Sequence, residues 1–151
     1  MSLKYLFLDV DGVLNYDSCK ARAPSGCRGI SDKKVKLLKQ IIDATGAEII
    51  LSSDWRLDDG NDYQYLVKKL GRESLHIYDK TIDINCLKRG LEIEGWIDTH
   101  DVDGYVILDD TNFPDFSRGK LRDHLVITDY QCGLRKSDVE RAIRIINNET
   151  H

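Results

Sequence analysis

The sequence predicts an α/β domain built on a mostly parallel sheet. Two observations predict it. Short apolar runs that do not alternate recur between segments with helical spacing, and three of these runs end in polar residues: Asp9 and Asp11, then Ser52, then Asp109 and Asp110. A strand covered on both faces reads as a continuous apolar run, which marks a parallel sheet flanked by helices. In such a sheet the strand ends of one sense line one edge. Residues as distant in sequence as Asp9 and Asp110 can therefore meet at one site.

Tyr5 to Leu8 is the first strand, followed at once by Asp9-Val10-Asp11-Gly12. Alternation puts Asp9 and Asp11 on one side if the chain stays extended. Gly12 then allows a sharp turn, because it tolerates positive φ. Tyr16 to Gly29, with Pro24, Ser25, Gly26 and Gly29, reads as a loop or small flap; it carries Lys20, Arg22 and Arg28, partly offset by Asp17. Ser31 fits a helix N-cap with Asp32 in the first turn. Val35, Leu38, Ile41 and Ile42 keep one helical face, and Gly46 ends it. Glu48 to Leu51 is the second strand and runs into Ser52-Ser53-Asp54-Trp55-Arg56. Strand, helix, strand implies a parallel pair with a right-handed crossover.

A polar turn over Asp58 to Asn61 leads to a helix marked by Tyr63, Leu66, Val67 and Leu70 and stopped by Gly71. Leu75 to Tyr78 is a short third strand, and Asp79 to Cys86 reads as irregular. Leu91, Ile93, Trp96 and Ile97 outline a third helix, preceded by Lys88-Arg89-Gly90. Tyr105 to Leu108 is the fourth strand, ending in Asp109-Asp110, and Leu125 to Ile127 the fifth, ending in Thr128-Asp129. The last helix starts near Ser137-Asp138 and carries Val139, Ala142, Ile143 and Ile146 on one face.

Composition bounds the function. The chain has 151 residues, 41% hydrophobic and 32% charged, which suits a single globular domain over 1–151. A net charge of −4 argues against a broad basic face for duplex nucleic acid, while leaving room for a local basic groove. No apolar run reaches membrane-spanning length and no signal peptide is visible, so a cytoplasmic protein with no membrane partner is expected. Cys19, Cys27, Cys86 and Cys132 form no Cys-x-x-Cys pair and read as free thiols. His76, His100, His124 and His151 show no ligand spacing.

Two carboxylates as close as Asp9 and Asp11 repel unless a cation sits between them or one takes a proton. With Mg²⁺ bound, an ionised Asp can attack phosphorus. The other, left protonated, can serve as a general acid. Taken alone, Asp-x-Asp-Gly also fits an ordinary acidic turn. The ordered series of strand-end acids favours chemistry. Trp55 and Trp96 read as core residues, Asp129 as a turn cap or a border of the site, and Arg56 as a phosphate contact or a surface salt bridge.

With these motifs together, the sequence resembles the haloacid dehalogenase (HAD) superfamily of phosphohydrolases. Phe7-Leu8-Asp9-Val10-Asp11-Gly12-Val13-Leu14 is similar to its first motif, Ile49-Ile50-Leu51-Ser52 to its second, and Val106-Ile107-Leu108-Asp109-Asp110 to its fourth, with Asp115 at a fitting distance. Asn15, Leu51-Ser52-Ser53-x-Trp55-Arg56 and Arg89-Gly90-x-Glu92-Ile93-x-x-Trp96 narrow the resemblance to HAD domains of Swiss army knife RNA-repair proteins and related stand-alone proteins. The resemblance implies a Rossmann-like three-layer fold with a five-stranded sheet. It implies that Asp9 forms an aspartyl-phosphate, that Asp11 is acid and then base, and that Ser52 bonds a phosphoryl oxygen. It further implies that Asp9, the Asp11 carbonyl and Asp110 hold Mg²⁺, with Asp109 acting indirectly. The third-motif cation is Lys88 or Arg89, and Arg89 fits the narrower resemblance.

Too little chain lies between Asn15 and Glu48, or between Arg56 and Val102, for a large cap domain. By analogy within the superfamily, an open site suits a large phosphorylated substrate such as a nucleic-acid or nucleotide end. The expected activity is a Mg²⁺-dependent phosphomonoester phosphatase. The alternatives are a small-metabolite phosphatase closed by the 16–29 flap, and a non-catalytic phosphate-binding module.

Overall fold

The computed structural model describes residues 3–57, 60–83, 88–117 and 119–148. Five strands, β1 (Lys4–Leu8), β2 (Glu48–Leu51), β3 (Ile77–Lys80), β4 (Gly104–Asp109) and β5 (Leu125–Ile127), form one sheet in the order β3-β2-β1-β4-β5. All neighbours run parallel. Among the described residues, three helices connect the first four strands, α1 (Asp32–Thr45), α2 (Asn61–Gly71) and α3 (Arg89–Asp98), and a fourth, α4 (Lys136–Ile146), follows β5. This is an α/β, Rossmann-type arrangement of three layers.

The pleat explains the layers. Leu6 and Leu8, Ile49 and Leu51, and Val106 and Leu108 face one side, where they pack with Val35, Leu38 and Ile41 of α1, Leu66 and Leu70 of α2, and Val139, Ala142 and Ile146 of α4. Phe7, Ile50, Tyr105 and Ile107 face the other side, against Ile93 and Trp96 of α3 and against Phe116 and Leu121. Because both faces are covered, the strand runs are apolar throughout.

Most element boundaries agree with the sequence pattern. Gly46 adopts φ 74° and donates its N–H to Ile42, closing α1 as a left-handed cap. Ser31 occupies the N-cap position of α1, but its side chain makes no cap hydrogen bond. Gly71 does not stop α2; it is its last helical residue, and Arg72 beyond it is still helical in backbone angle. The third strand lies two residues later than expected, at Ile77–Lys80, so Asp79 and Lys80 are paired with β2 rather than irregular. Its register shifts between Ile49 and Ile50, and its exposed edge position removes the apolar pattern that would have located it. Val67 and Leu91 are exposed rather than on the buried faces of their helices.

The order places β1 at the centre, where the chain leaves outward through β2 and β3 and later returns on the other side through β4 and β5. The crevice at such a reversal, beyond the carboxyl ends of the strands, is where open α/β sheets bind ligands. Among the described residues, the 16–31 and 110–124 connections hold no helix beyond short 3-10 segments at Pro114–Ser117 and Gly119–His124. Among the described residues, no helix is long and apolar enough to cross a membrane. Asp58, Cys86 and His151 lie outside the described residues.

Candidate active site

Register builds the site. Leu8 is level with Leu51 of β2 and Leu108 of β4. The Asp9 N–H continues the ladder to the Leu108 carbonyl at 3.0 Å, and the Ser52 N–H donates to the Leu8 carbonyl at 2.9 Å. Asp9 and Ser52, just past β1 and β2, and Asp109, the last residue of β4, are therefore the next row, brought together by the sheet itself.

Asp9, Asp109 and Asp110 each offer a carboxylate oxygen, and these oxygens lie within 4.8 Å of one another. Asp9 and Asp109 are buried. Loss of water, followed by the Asp109 charge, pushes the Asp9 carboxyl well above its ordinary range. Burial likewise raises Asp109 to about 6, against the lowering pull of Arg89. Three hard oxygen donors with more negative charge than the pocket stabilises fit a small divalent cation such as Mg²⁺. Asp109 is the least free of the three. Its Oδ2 faces Arg89 Nη1 at 3.2 Å, and its Oδ1 accepts the Thr111 N–H at 3.0 Å.

The turn after Asp9 is tied down from several directions. Gly12 has φ 80°, and a Cβ there would overlap the Asp110 carboxylate. The position is thus closed to other residues both by conformation and by space. The Gly12 N–H donates to Asn15 Oδ1 at 2.9 Å, and Thr128 Oγ1 donates to the Gly12 carbonyl at 2.7 Å. Asn15 Nδ2 donates to Asp11 Oδ1 at 3.0 Å and to the Gly29 carbonyl at 2.9 Å. Asp11 Oδ2 accepts the Trp55 indole N–H at 3.1 Å. The exposed carboxylate of Asp11 is therefore held on both oxygens.

Asn15, Trp55 and Thr128 were not singled out as site residues by the sequence. Trp55 is buried, as a core residue would be. The available signal was its lone indole N–H, which needs a partner when buried.

Arg89 is the cation that reaches the acids. It lies in the first turn of α3, with Nη1 3.2 Å from Asp109 and 3.6 Å from Asp9, and Nη2 3.5 Å from Asp54. Its guanidinium also sits 4.9 Å from the Phe113 ring centroid. Lys88, one residue earlier, is exposed at the N-cap of α3. Asp115 sets the start of this helix: its Oδ2 accepts the Leu91 N–H at 2.9 Å, and Gly90 packs so closely that a Cβ would lie 2.7 Å from Asp115 Cγ. Ser52 is fully buried, and its Oγ has no hydrogen-bond partner among the described residues.

Arg56 is not a surface salt bridge. Its side chain is 3% exposed and lies 2.8 Å from Glu92 Oε1, while Nη1 donates to the Ser53 carbonyl at 2.7 Å. Glu92 also faces Arg89 Nε at 3.8 Å, so one buried carboxylate neutralises parts of both arginines. Asp129 caps a turn, accepting the Gln131 N–H at 2.9 Å, rather than bordering the acids. His100 stacks on Trp96, His124 stacks on Tyr105, and exposed His76 faces Glu48; none joins the carboxylate group. Cys19, Cys27 and Cys132 are free thiols.

Beside Asp11 opens a cleft of about 280 Å³ lined by Cys27, Arg28, Asp54, Trp55 and Asp62. A larger hollow of about 400 Å³ beside Trp96 and His100 includes none of the three clustered carboxylates. The 16–29 loop does not hang free over the cleft. Asp62 of α2 accepts the backbone N–H and hydroxyl of Ser25, and Tyr65 of α2 accepts the Ile30 N–H at 3.1 Å.

Comparison with known proteins gives one family. The sequence model described as the HAD domain in Swiss Army Knife RNA repair proteins matches residues 5–139. No curated protein matches the chain significantly.

Proposed function

The chain belongs to the family of HAD domains found in Swiss Army Knife RNA repair proteins, and from that premise we propose that it hydrolyses phosphomonoesters, using Asp9 as nucleophile and Asp11 as acid and base. One observation carries the reading. Ser52 Oγ is buried, with no hydrogen-bond partner among the described residues, on one flank of Asp9, and the Arg89 guanidinium lies on another. A hydroxyl and a cation converging on a buried carboxylate suit a phosphoryl group in transit.

In the first step, Asp9 Oδ attacks phosphorus and the bond to the leaving oxygen breaks. Asp11 gives that oxygen its proton, so the product leaves as an alcohol. In the second step, Asp11, now ionised, takes a proton from water. The water oxygen attacks phosphorus, inorganic phosphate departs, and the Asp9 carboxylate is restored. Ser52 and Arg89 bind non-bridging oxygens throughout, and Arg89 meets the charge that grows on them. Trp55 and Asn15 fix where the Asp11 proton is delivered.

Asp9, Asp110 and the backbone carbonyl of Asp11 would hold Mg²⁺, and Asp109 would act indirectly, since both its oxygens already have partners. The ion would supply positive charge between the carboxylates and the phosphoryl group. Glu92 offsets the charge of Arg56, which supports a role for Arg56 in holding Arg89 and Glu92 rather than in gripping phosphate.

A nucleic-acid or nucleotide end is the proposed substrate class, because the open cleft beside Asp11 leaves the leaving group room to extend. Its modest volume, about 280 Å³, equally accepts a small metabolite phosphate. Release of phosphate from an aryl phosphate, with and without Mg²⁺, tests the activity. A panel of phosphorylated oligonucleotide ends against metabolite phosphates ranks the substrates. Absence of any Mg²⁺-dependent turnover would leave a phosphate-binding module in place of an enzyme.

A further inference from the structure

The 16–29 loop carries three basic side chains, and the fold uses each differently. Lys20 is exposed and lines no part of the cleft beside Asp11. Arg22 donates Nη1 to the carbonyls of Cys19 and Ala21, at 3.0 and 2.9 Å, and so braces its own loop. Arg28 alone of the three lines the cleft. Tyr130 orients it: the tyrosine hydroxyl accepts from Nη1 at 2.6 Å, and the ring centroid lies 5.2 Å from the guanidinium carbon. Its carboxylate neighbour Asp17 is 3.8 Å away and largely exposed, which makes a weak ion pair.

A guanidinium has five N–H donors. For Arg28, one hydrogen bond is found among the described residues, to Tyr130. Among the described residues, the rest of the cleft lining offers three carboxylates, Asp11, Asp54 and Asp62, and no second cation. Asp62 is engaged by Ser25. An anion entering this cleft is drawn to one point and repelled elsewhere. The Tyr130 hydrogen bond, with the charges of Asp17 and Asp11, also holds Arg28 firmly protonated.

We propose that Arg28, oriented by Tyr130, is a specificity-determining residue that binds a second phosphate carried by the leaving group. The inference rests on the phosphatase reading above. Its substrate class is a phosphomonoester on a sugar that bears another phosphate, as at an oligonucleotide end or in a nucleoside bisphosphate. One oriented cation in a cleft also lined by Asp54 and Asp62 selects a single neighbouring phosphate, not a long polyanionic track.

The test measures phosphate release from p-nitrophenyl phosphate, a nucleoside 3′,5′-bisphosphate and a dinucleotide with a terminal phosphate. Arg28→Gln should raise KM for the doubly phosphorylated substrates about tenfold relative to the aryl phosphate, with the ratio of kcat values held, as for a charge-assisted contact made equally in ground and transition states. Tyr130→Phe should shift the ratio the same way by less, and Lys20→Gln should not shift it. An effect on the dinucleotide alone identifies an internal phosphodiester as the bound group; an effect on the bisphosphate alone identifies a terminal phosphate. Equal effects on all substrates, or none, overturn the proposal. Calorimetric titration of the bisphosphate into Asp9→Asn protein, with and without Arg28→Gln, separates the two readings. About tenfold weaker binding there without wild-type turnover keeps the anion site and retires the phosphatase. Turnover with no Arg28 effect does the reverse.

Discussion

Trp55 Nε1 lies 3.1 Å from Asp11 Oδ2, a hydrogen bond between the turn after β1 and the turn after β2. It holds the carboxyl that the proposed reaction uses to protonate the leaving oxygen. Trp55→Phe keeps most of the apolar bulk and removes one orienting hydrogen bond, a change of about 1 kcal/mol. Turnover of an alkyl phosphate, whose leaving group needs the proton, should fall roughly five- to tenfold. An aryl phosphate, with a better leaving group, should lose less. Equal losses on both would mean that Trp55 supports the fold and not the acid.

Asp9→Asn should abolish turnover and leave the fold intact, since Asn is nearly isosteric and lacks the nucleophilic charge. In chelator its melting temperature should match or exceed that of the wild type, because burial and Asp109 disfavour the ionised form of Asp9. Wild-type rates from the Asn variant on an aryl phosphate would exclude the covalent route.

The two acids at the end of β4 should differ. Asp109 already serves Arg89 and Thr111, whereas Asp110 packs over Gly12 at the edge of the acid cluster. Asp110→Ala should raise the Mg²⁺ concentration for half-maximal activity by tenfold or more, or remove activity, and Asp109→Ala should shift it less. A Mg²⁺ titration that ranks them the other way exchanges their roles.

pH dependence follows from Asp109. Its folded-state pKa, about 6, lies above its ordinary value of 3.8, so the folded protein binds more protons than the unfolded chain between those values. Stability therefore falls as pH rises through that window. Asp109→Asn escapes the penalty. In chelator, its melting temperature should gain on the wild type as pH rises from about 4 to about 6 and hold that gain above. Circular dichroism melts across this range check it, and a gap that closes with rising pH would contradict the assignment. Added Mg²⁺ should recover stability in the wild type by mass action.

Arg56→Met tests the buried pair with Glu92. Both side chains are 3% exposed, and the substitution removes the 2.8 Å charge contact to Glu92 while leaving the 3.8 Å one from Arg89. The expected loss is about 3 kcal/mol in urea unfolding. A loss under about 1 kcal/mol is what an exposed pair would give and would argue that Arg89 neutralises Glu92 unaided.

The sequence by itself determined the layers and the row of acids. β1, β2, β4 and β5 are readable because a doubly covered strand must be apolar throughout, and α1 and α4 because a helix on a sheet keeps one face apolar. Acids directly after β1 and β4 then have to share an edge, whatever the loops do. β3 was displaced because an exposed edge strand carries no such constraint.

Tertiary structure decided the rest. Lys88 and Arg89 are neighbours of the same charge, and only the point where α3 begins, set by Asp115 from elsewhere in the chain, sends Arg89 to Asp9 and Asp109. Trp55 holding Asp11, Thr128 holding Gly12, and Tyr130 accepting from Arg28 all join loops far apart in sequence. Local periodicity records which face a residue turns to its own sheet. It carries no trace of which donor from another loop will meet it, because that depends on the paths the loops take once the core is packed.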